Sequence, residues 1–424
     1  MDIKEMLKGK ECSCGRYHRC DIGHVSIGQG AIEALREIIQ DFEMILIVAD
    51  ENTYRAAGEK TVEALSGKRI RKLIFSGKTV LIPNEEAIDQ VYCALQGVDH
   101  IVGIGSGVIQ DLCKYVSHIR KIPYSIVATA PSMDGYASTG AAMILNGMKV
   151  TVSAGVPSAI LADSDVLKDA PMEMIRAGYG DIVGKYSALN DWKLSSVVND
   201  EYFCQELYDL TMDMVQKTLQ LADGLLKRDE QSVRVLMEAL VIVGIAMSFA
   251  GSSRPASGSE HHLSHYFEIT GIVHGEEYFP HGIDVAYSTV VTAQLRERLL
   301  QHAWPQTQYR PARHTYVSKI SKIYGTVADS CIALQDQVGL YQKDMLSVYN
   351  AKEAEIRNIL AEMPSAQEIQ TMLIAVGLHM HMFYEMYSAE KIHNAIAYAK
   401  DLKDRYTVLW MYYDLFGGQQ DGYQ

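Results

Sequence analysis

Residues 100–118, HIVGIGSGVIQDLCKYVSH, carry the pattern that decides the fold. A short apolar run leads into a glycine-rich turn, which is followed by an amphipathic helical pattern. Glycine lets the backbone approach a phosphate closely, and the first turn of a helix presents N–H groups to it. We therefore predict a phosphate-binding turn at Gly105, Ser106 and Gly107. The third glycine of a G-x-G-x-x-G fingerprint is missing, so a tight turn without a ligand is the alternative.

Strand and helix patterns alternate around this turn. Apolar runs predict further strands, helical patterns separate them, and a hairpin is predicted at residues 144–152. Such alternation is typical of a doubly wound sheet. Long helical patterns replace it from residue 167 onward. We predict an α/β domain over residues 1–165 and an all-α domain over residues 166–424. The predicted strands are residues 44–49, 69–75, 100–103, 124–129 and 159–162.

The composition is that of a soluble globular enzyme. The 424 residues are 48% hydrophobic and 21% charged, and the net charge is −13. This charge argues against nucleic acid or an anionic membrane as the main partner. The N-terminus has no apolar run, and the longest one, residues 239–250, is too short to span a bilayer. We expect a buried helix there, no membrane insertion, and a cytoplasmic protein.

Seven cysteines are present, and three of them lie in the segment CSCGRYHRC, residues 12–20. The number is odd and the other four are scattered, which argues against a disulfide framework. Cys12, Cys14, His18 and Cys20 are residue types that bind zinc, but their spacing is tighter than that of paired C-x-x-C hooks. We interpret the segment as an N-terminal arm that carries thiols, with metal binding left open.

Histidines are concentrated in GSSRPASGSEHHLSH, residues 251–265, and HGIDVAYST, residues 281–289. His261 and His265 are four positions apart, so they share one face of a helix. Asp181, in GYGDIVGKY, could complete a site with His261 and His281, since one Asp and two His with an open position suit a catalytic metal such as zinc. The alternatives are a helix N-cap for Asp181 and buried carboxylate partners for the histidines.

Five stretches together resemble the sn-glycerol-1-phosphate dehydrogenase family, within the superfamily of iron-type alcohol dehydrogenases, glycerol dehydrogenase and dehydroquinate synthase. They are GIGSGVIQDLCKY, TAPSMDGYAS, GYGDIVGKYSALNDWKL, SRPASGSEHHLSH and HGIDVAYST. The resemblance implies a dinucleotide-binding α/β domain followed by a helical metal- and substrate-binding domain. It places Gly105, Ser106, Gly107 and Asp111 at the pyrophosphate, Thr129, Ser132 and Asp134 near the nicotinamide, and Asp181, His261 and His281 on the metal.

Lys185 is a residue that indicates the class of substrate. Related four-ligand alcohol dehydrogenases have a histidine four residues after the metal aspartate, and this chain has Lys185 there. A charged amine cannot ligate a metal but can pair with a phosphate, which favours a phosphorylated substrate. The alternative is a surface amine. Arg254 is a second candidate for the phosphate, or else a structural arginine, and Asp134 is also assigned to the substrate.

The sequence allows more than one role for His265, His281 and Asp50. His265 is the candidate for relaying the proton, or a buried histidine that supports the ligands. His281 is preferred to His274 as the third ligand, because the pattern H-G-x-x-V-x-x-x-T continues from His281 alone. Asp50, after the strand at residues 44–49, either bonds a ribose hydroxyl, which would favour NAD, or caps the next helix. His262 is assigned to neither metal nor proton.

The hypothesis is that the chain reduces dihydroxyacetone phosphate to sn-glycerol 1-phosphate with NADH or NADPH and one divalent metal, which could be zinc, nickel or iron. Alternatives are a glycerol or other polyol dehydrogenase, a dehydroquinate-synthase-like cyclase, and a non-catalytic binding protein. The expected partner is a small phosphorylated substrate, and a homodimer is the default assembly.

Overall fold

Strands are confined to the first 163 residues of the computed structural model, which describes residues 2–418. The ten strands are β1 (Lys10–Glu11), β2 (Tyr17–His18), β3 (His24–Gly28), β4 (Met44–Asp50), β5 (Arg69–Phe75), β6 (His100–Gly105), β7 (Tyr124–Ala128), β8 (Gly140–Leu145), β9 (Met148–Ser153) and β10 (Ala159–Asp163).

Six of these strands form one parallel sheet in the order β3-β10-β7-β6-β4-β5. The predicted strands are all present, and the alternating pattern is confirmed. Residues 45–49 of β4 are fully buried, as expected for a strand covered on both faces. The sequence pattern missed the edge strand β3, and the predicted hairpin is the separate pair β8–β9.

The sheet has a topological switch point between β4 and β6. From β4 the chain moves outward to β5 and then returns to the other side of β4 with β6. Ligands of open α/β sheets bind beyond the carboxyl ends of the strands at such a point. Asp50 ends β4 and Ser106 follows β6, so both flank this position.

Helices make up most of the chain after β10. The α-helices among the described residues are α1 (Ile3–Met6), α2 (Leu35–Ile38), α3 (Glu51–Ala64), α4 (Glu85–Ala94), α5 (Gly107–Arg120), α6 (Ser164–Leu167), α7 (Met172–Val183), α8 (Lys185–Asn199), α9 (Gln205–Leu219), α10 (Ala222–Leu226), α11 (Glu230–Ala250), α12 (Ser259–His274), α13 (His281–Gln301), α14 (Arg313–Tyr324), α15 (Ala328–Val338), α16 (Leu346–Ala351), α17 (Glu353–Ala361), α18 (Ala366–Ile374), α19 (Met380–Met386), α20 (Ala389–Tyr398) and α21 (Val408–Phe416). Short 3-10 helices span Ala31–Ala34, Gly135–Ala137, Gly325–Val327, Leu340–Gln342 and Ala399–Leu402.

The chain divides into two compact units whose boundary differs from the predicted one near residue 165. The first unit comprises residues 1–182 and 209–253, and the second comprises residues 183–208 and 254–424. The difference arises because α11 packs against β2, β3 and α6 of the sheet unit. A change from alternating to helical patterns therefore does not mark the change in packing.

The predicted buried apolar helix is α11, which extends over 21 residues. It is the one helix among residues 2–418 with a length and composition that could cross a membrane, but 78% of its most apolar window is buried inside the protein. A core helix passes the same test, and no membrane insertion is indicated.

The second unit is organised around α8. This helix packs against α12, α13 and α17, and most of its residues are buried. Asp191 of α8 accepts hydrogen bonds from Arg296 of α13 (2.8 Å) and from the backbone N–H of Ser259 at the start of α12 (2.6 Å). This buried ion pair fixes the beginning of α12, the helix that carries His261 and His265.

Candidate active site

The glycine turn leads directly from β6 into α5. The predicted strand continues through Gly105, so the turn itself is Ser106, followed by α5. A Cβ at Gly105 would lie 2.6 Å from the Cβ of Ile109, so only glycine lets the turn pack against the helix. At Gly107 the nearest atoms, of Met133, would be 3.9 Å away, which leaves space at the N-terminus of α5.

Asp50 caps the helix after β4. Its Oδ1 accepts hydrogen bonds from the backbone N–H groups of Asn52 (2.8 Å) and Thr53 (2.9 Å). The hydroxyl of Thr53 accepts a hydrogen bond from the N–H of Asp50 in return (3.0 Å), which completes a capping box. Of the two alternatives, the structure contains the cap, and the ribose contact stays a prediction.

The loop after β7 lies beside the glycine turn. The N–H of Thr129 donates to the carbonyl of Gly105 (3.1 Å), and Ser132 and Asp134 further along the loop are buried. The N–H of Asp134 donates to Oδ2 of Asp181 (2.9 Å), a fully buried carboxylate on α7. The predicted nicotinamide loop and the predicted metal aspartate are therefore in direct contact.

Gly178 explains how α7 reaches this loop. A Cβ at Gly178 would lie 1.8 Å from the carbonyl oxygen of Pro131, a distance no side chain can occupy. The first glycine of GYGD is thus required for α7 to lie against the loop, and Asp181 follows one turn later.

Lys114 was not singled out from the sequence. It lies on α5, about one turn after Asp111. Its buried amine donates to the carbonyls of Gly135 and Gly140 (2.9 Å each). Burial lowers the pKa of Lys114 to about 8, while the charges of Asp111 and Asp134 oppose that shift. Lys114 ties the segment after Asp134 to α5, and Asp111 acts on it electrostatically.

Three histidines of the second unit form a group that we term the histidine cluster: His261, His265 and His281. The ring centroid of His261 is 5.0 Å from that of His281 and 6.1 Å from that of His265. The rings of His265 and His281 are 5.4 Å apart and nearly parallel. The structure thus brings together the two predicted histidine ligands and the histidine predicted to relay the proton.

Glu260 orients His261, and sequence reasoning missed it. Its Oε1 lies 2.7 Å from Nδ1 of His261 and accepts the N–H of Gly258 (2.8 Å). Burial is the largest influence and raises the pKa of Glu260, but the hydrogen bond and charge of His261, with the hydrogen bonds from Gly258 and Ser187, together outweigh it, so the net pKa is lowered. An ionised Glu260 holds the proton of His261 on Nδ1, which makes Nε2 the nitrogen with a lone pair.

His274 and His262 occupy different surroundings. Nε2 of His274, at the C-terminal end of α12, donates to the carbonyl of Ile323 (2.8 Å). His281 is the first residue of α13, and its Nδ1 lies 3.2 Å from the hydroxyl of Ser264. Burial and nearby cations lower the pKa of His262 well below its usual value, so its ring stays neutral.

The two candidates for the phosphate differ in their contacts. Arg254 forms an ion pair with Glu201 and donates to the carbonyl of Tyr406 (2.9 Å) and the hydroxyl of Ser195 (3.2 Å). These bonds are those of a structural arginine, the alternative left open from the sequence. Lys185 is fully buried and therefore not a surface amine, and its Nζ donates to the carbonyl of Ala256 (3.1 Å).

Known proteins have sequences similar to that of this chain. Residues 26–171 match the model of the iron-containing alcohol dehydrogenase family. A glycerol-1-phosphate dehydrogenase (NAD(P)+) of Halalkalibacterium halodurans is 37% identical over 293 residues, which cover 67% of this chain and 73% of the relative. The enzyme of the same name from Geobacillus stearothermophilus is 32% identical, covering 87% of this chain and 86% of the relative.

The chain belongs to the glycerol-1-phosphate dehydrogenase family.

Solved structures confirm the predicted fold class for this family member. A 1,3-propanediol oxidoreductase matches with a TM-score of 0.63 and 14% identity, covering 93% of this chain and 96% of that one. An iron-containing alcohol dehydrogenase from Thermococcus thioreducens matches with a TM-score of 0.60 and 14% identity, covering 91% and 92%. At this level of identity the likeness shows a shared fold.

Proposed function

We propose that this chain reduces dihydroxyacetone phosphate to sn-glycerol 1-phosphate with NADH or NADPH. The names of its relatives supply the product and the cofactor class. The observation that carries the proposal is the bond between Glu260 and Nδ1 of His261, within contact of His281. A carboxylate that orients an imidazole in this way is characteristic of metal-binding histidines.

The metal ligands in this proposal are Asp181, His261 and His281. Each offers one ligand atom to a group that could hold a metal ion. A carboxylate and two imidazoles accept zinc, nickel or iron, and three protein ligands leave a position for the substrate. When bound, the metal polarises the substrate carbonyl and the nicotinamide supplies the hydride.

The nucleotide is assigned to the switch point of the sheet. The space at Gly107 and the N-terminus of α5 suit a pyrophosphate, with Gly105, Ser106 and Asp111 beside it. Thr129, Ser132 and Asp134, on the neighbouring loop, would then face the nicotinamide. Support comes from the bond between Thr129 and Gly105, which joins the loop to the turn.

His265 is assigned to the proton, and Lys185 to the phosphate. The ring of His265 stacks on that of His281, so a proton on His265 lies next to a ligand of the reacting centre. The ammonium group of Lys185 carries a positive charge that can pair with a phosphate, and its Nζ donates to the carbonyl of Ala256. We no longer assign Arg254 to the substrate, because its guanidinium is committed to Glu201, Ser195 and Tyr406.

The test is NADH and NADPH oxidation with dihydroxyacetone phosphate, followed by determination of the chirality of the product. We expect oxidation that depends on the phosphorylated substrate and yields the sn-glycerol 1-phosphate enantiomer. Faster turnover with unphosphorylated dihydroxyacetone would indicate a glycerol dehydrogenase instead. Turnover without net consumption of the reduced nucleotide would indicate a cyclase. The homodimer and the cytoplasmic location stay predictions.

A further inference from the structure

The N-terminal segment is folded into a tight hairpin. Strands β1 and β2 pair antiparallel, with Lys10 opposite His18. Between them the N–H of Gly15 donates to the carbonyl of Cys12 (3.0 Å), and the N–H of Cys12 donates to the carbonyl of Arg16 (3.2 Å). Gly15 has a φ of +83°, which glycine adopts without strain. The hairpin thereby holds Cys12 and Cys14 at the end of the strand that carries His18.

The spacing of two side chains matches that of ligands on one ion. Sγ of Cys14 lies 3.6 Å from Nε2 of His18. Zinc binds sulfur at about 2.3 Å and nitrogen at about 2.0–2.1 Å, so two such ligands at the tetrahedral angle lie about 3.5–3.6 Å apart. The pair therefore already has the separation that a tetrahedral zinc site needs.

His18 is oriented as a ligand. Its ring is fully buried, and it stacks on Phe249 with a centroid distance of 5.4 Å. Because a carbonyl oxygen only accepts, Nδ1 of His18 must donate to the carbonyl of Phe249, 3.0 Å away. This bond places the lone pair of the neutral ring on Nε2, the nitrogen that faces Cys14.

We propose that Cys12, Cys14, His18 and Cys204 bind one structural zinc ion. These four residues, which we term the cysteine cluster, form a group that could hold a metal ion. Cys204 is fully buried and directly precedes α9. A set of three thiolates and one imidazole is closed, with no position left for substrate, as in structural zinc sites. Each coordinating thiol releases its proton when the metal binds.

Cobalt spectroscopy on the full-length protein tests this proposal without requiring activity. The protein is stripped with a chelator, reduced, and titrated with Co²⁺. The ligands proposed for catalysis contain no sulfur, so a thiolate-to-cobalt charge-transfer band reports the cysteine cluster alone. We expect a band that saturates at one Co²⁺ per chain and disappears when Zn²⁺ is added. Cobalt bound without such a band would overturn the proposal.

Variants identify the ligands. We expect Cys14→Ser and Cys204→Ser each to weaken the band, because two of the three thiolates remain, and to lower the affinity for zinc. Cys93→Ser is the matched control, because Cys93 is an exposed thiol outside the cluster. A full-strength band in Cys14→Ser or in Cys204→Ser would overturn the four-ligand site. If Cys14→Ser does not fold, the wild-type titration still decides. A band in a protein inactive on dihydroxyacetone phosphate would support the zinc site and count against the proposed function.

Discussion

The histidine cluster and the cysteine cluster orient their imidazoles in different ways. Nδ1 of His261 is paired with the ionised carboxylate of Glu260, whereas Nδ1 of His18 is paired with the neutral carbonyl of Phe249. A carboxylate makes the ring a stronger base and adds negative charge near the metal, and a carbonyl only fixes its orientation. The first arrangement suits a metal that works on a substrate, and the second suits a metal that holds the chain together.

The atoms that would bind the metal also differ between the two sites. The set proposed for catalysis has nitrogen and oxygen donors and an open position, whereas the cysteine cluster has three sulfurs and is closed. The two sites should therefore be separable by mutation, by spectroscopy and by the rate at which they lose metal.

The largest effect is expected from His281→Ala. Mutation of a residue that supports a metal ligand typically costs about 10–100-fold in activity. Loss of a ligand itself should reduce kcat/KM by more than that. The variant should lose one metal per chain and keep the thiolate-to-cobalt band. His314→Ala is the control, since His314 is exposed. Retention of both the metal and the activity in His281→Ala would remove His281 from the site.

The next largest effect is expected from Gly178→Ala. The added methyl would collide with the carbonyl of Pro131, so we expect a loss in the free energy of unfolding of about 3 kcal/mol, the upper end of typical overpacking. Thermal and urea unfolding would measure it. Gly155→Ala is the control, because a Cβ there meets no atom within 4 Å. Equal stability of the two variants would contradict the packing of α7 against this loop.

Glu260→Gln tests the carboxylate that distinguishes the two clusters. The amide keeps the shape but removes the charge, so metal affinity should fall about 10–100-fold while the cobalt band stays. Competition with a chelator of known affinity would measure the change. Glu277→Gln, at an exposed position, is the control. An affinity equal to that of the control would show that Glu260 acts on packing alone.

The smallest effect is expected at Asp50, which belongs to neither cluster. Asp50→Ala should lower the free energy of unfolding by about 1 kcal/mol through loss of the helix cap, and Asp50→Ser should retain most of it. Both variants should keep both metals. If Asp50 also contacts the ribose, both should raise the ratio of kcat/KM for NADPH to that for NADH. An unchanged ratio would leave Asp50 as a cap only.

The fold could be predicted from the sequence because parallel strands are buried on both faces. Residues 44–49 are apolar for that reason, and Asp50 marks the end of the strand whichever role it has. The edge strand β3 has only one buried residue, Val25, so its pattern is weak. The division into units was missed because it depends on the packing of α11, which its composition does not encode.

The site was only partly predictable. Spacing of four residues placed His261 and His265 on one helix face, as α12 has them. Glu260 adjoins His261 in sequence, but its role depends on a side-chain contact that no spacing rule specifies. The partners of Arg254 include Tyr406, 152 positions away, so its structural role appears only in the folded chain. Cys204 is likewise far from CSCGRYHRC in the sequence, so no local spacing indicated that it belongs to the cysteine cluster.

The most direct measurement is a chelation and reconstitution series on the wild-type chain, with dihydroxyacetone phosphate reduction and bound metal followed together. We predict that the open histidine site loses its metal first, that NADH oxidation falls with it while the thiolate site keeps its metal, and that one equivalent of zinc, nickel or iron restores the activity. Activity that persists after the nitrogen- and oxygen-bound metal is gone would contradict the assignment of that site to catalysis.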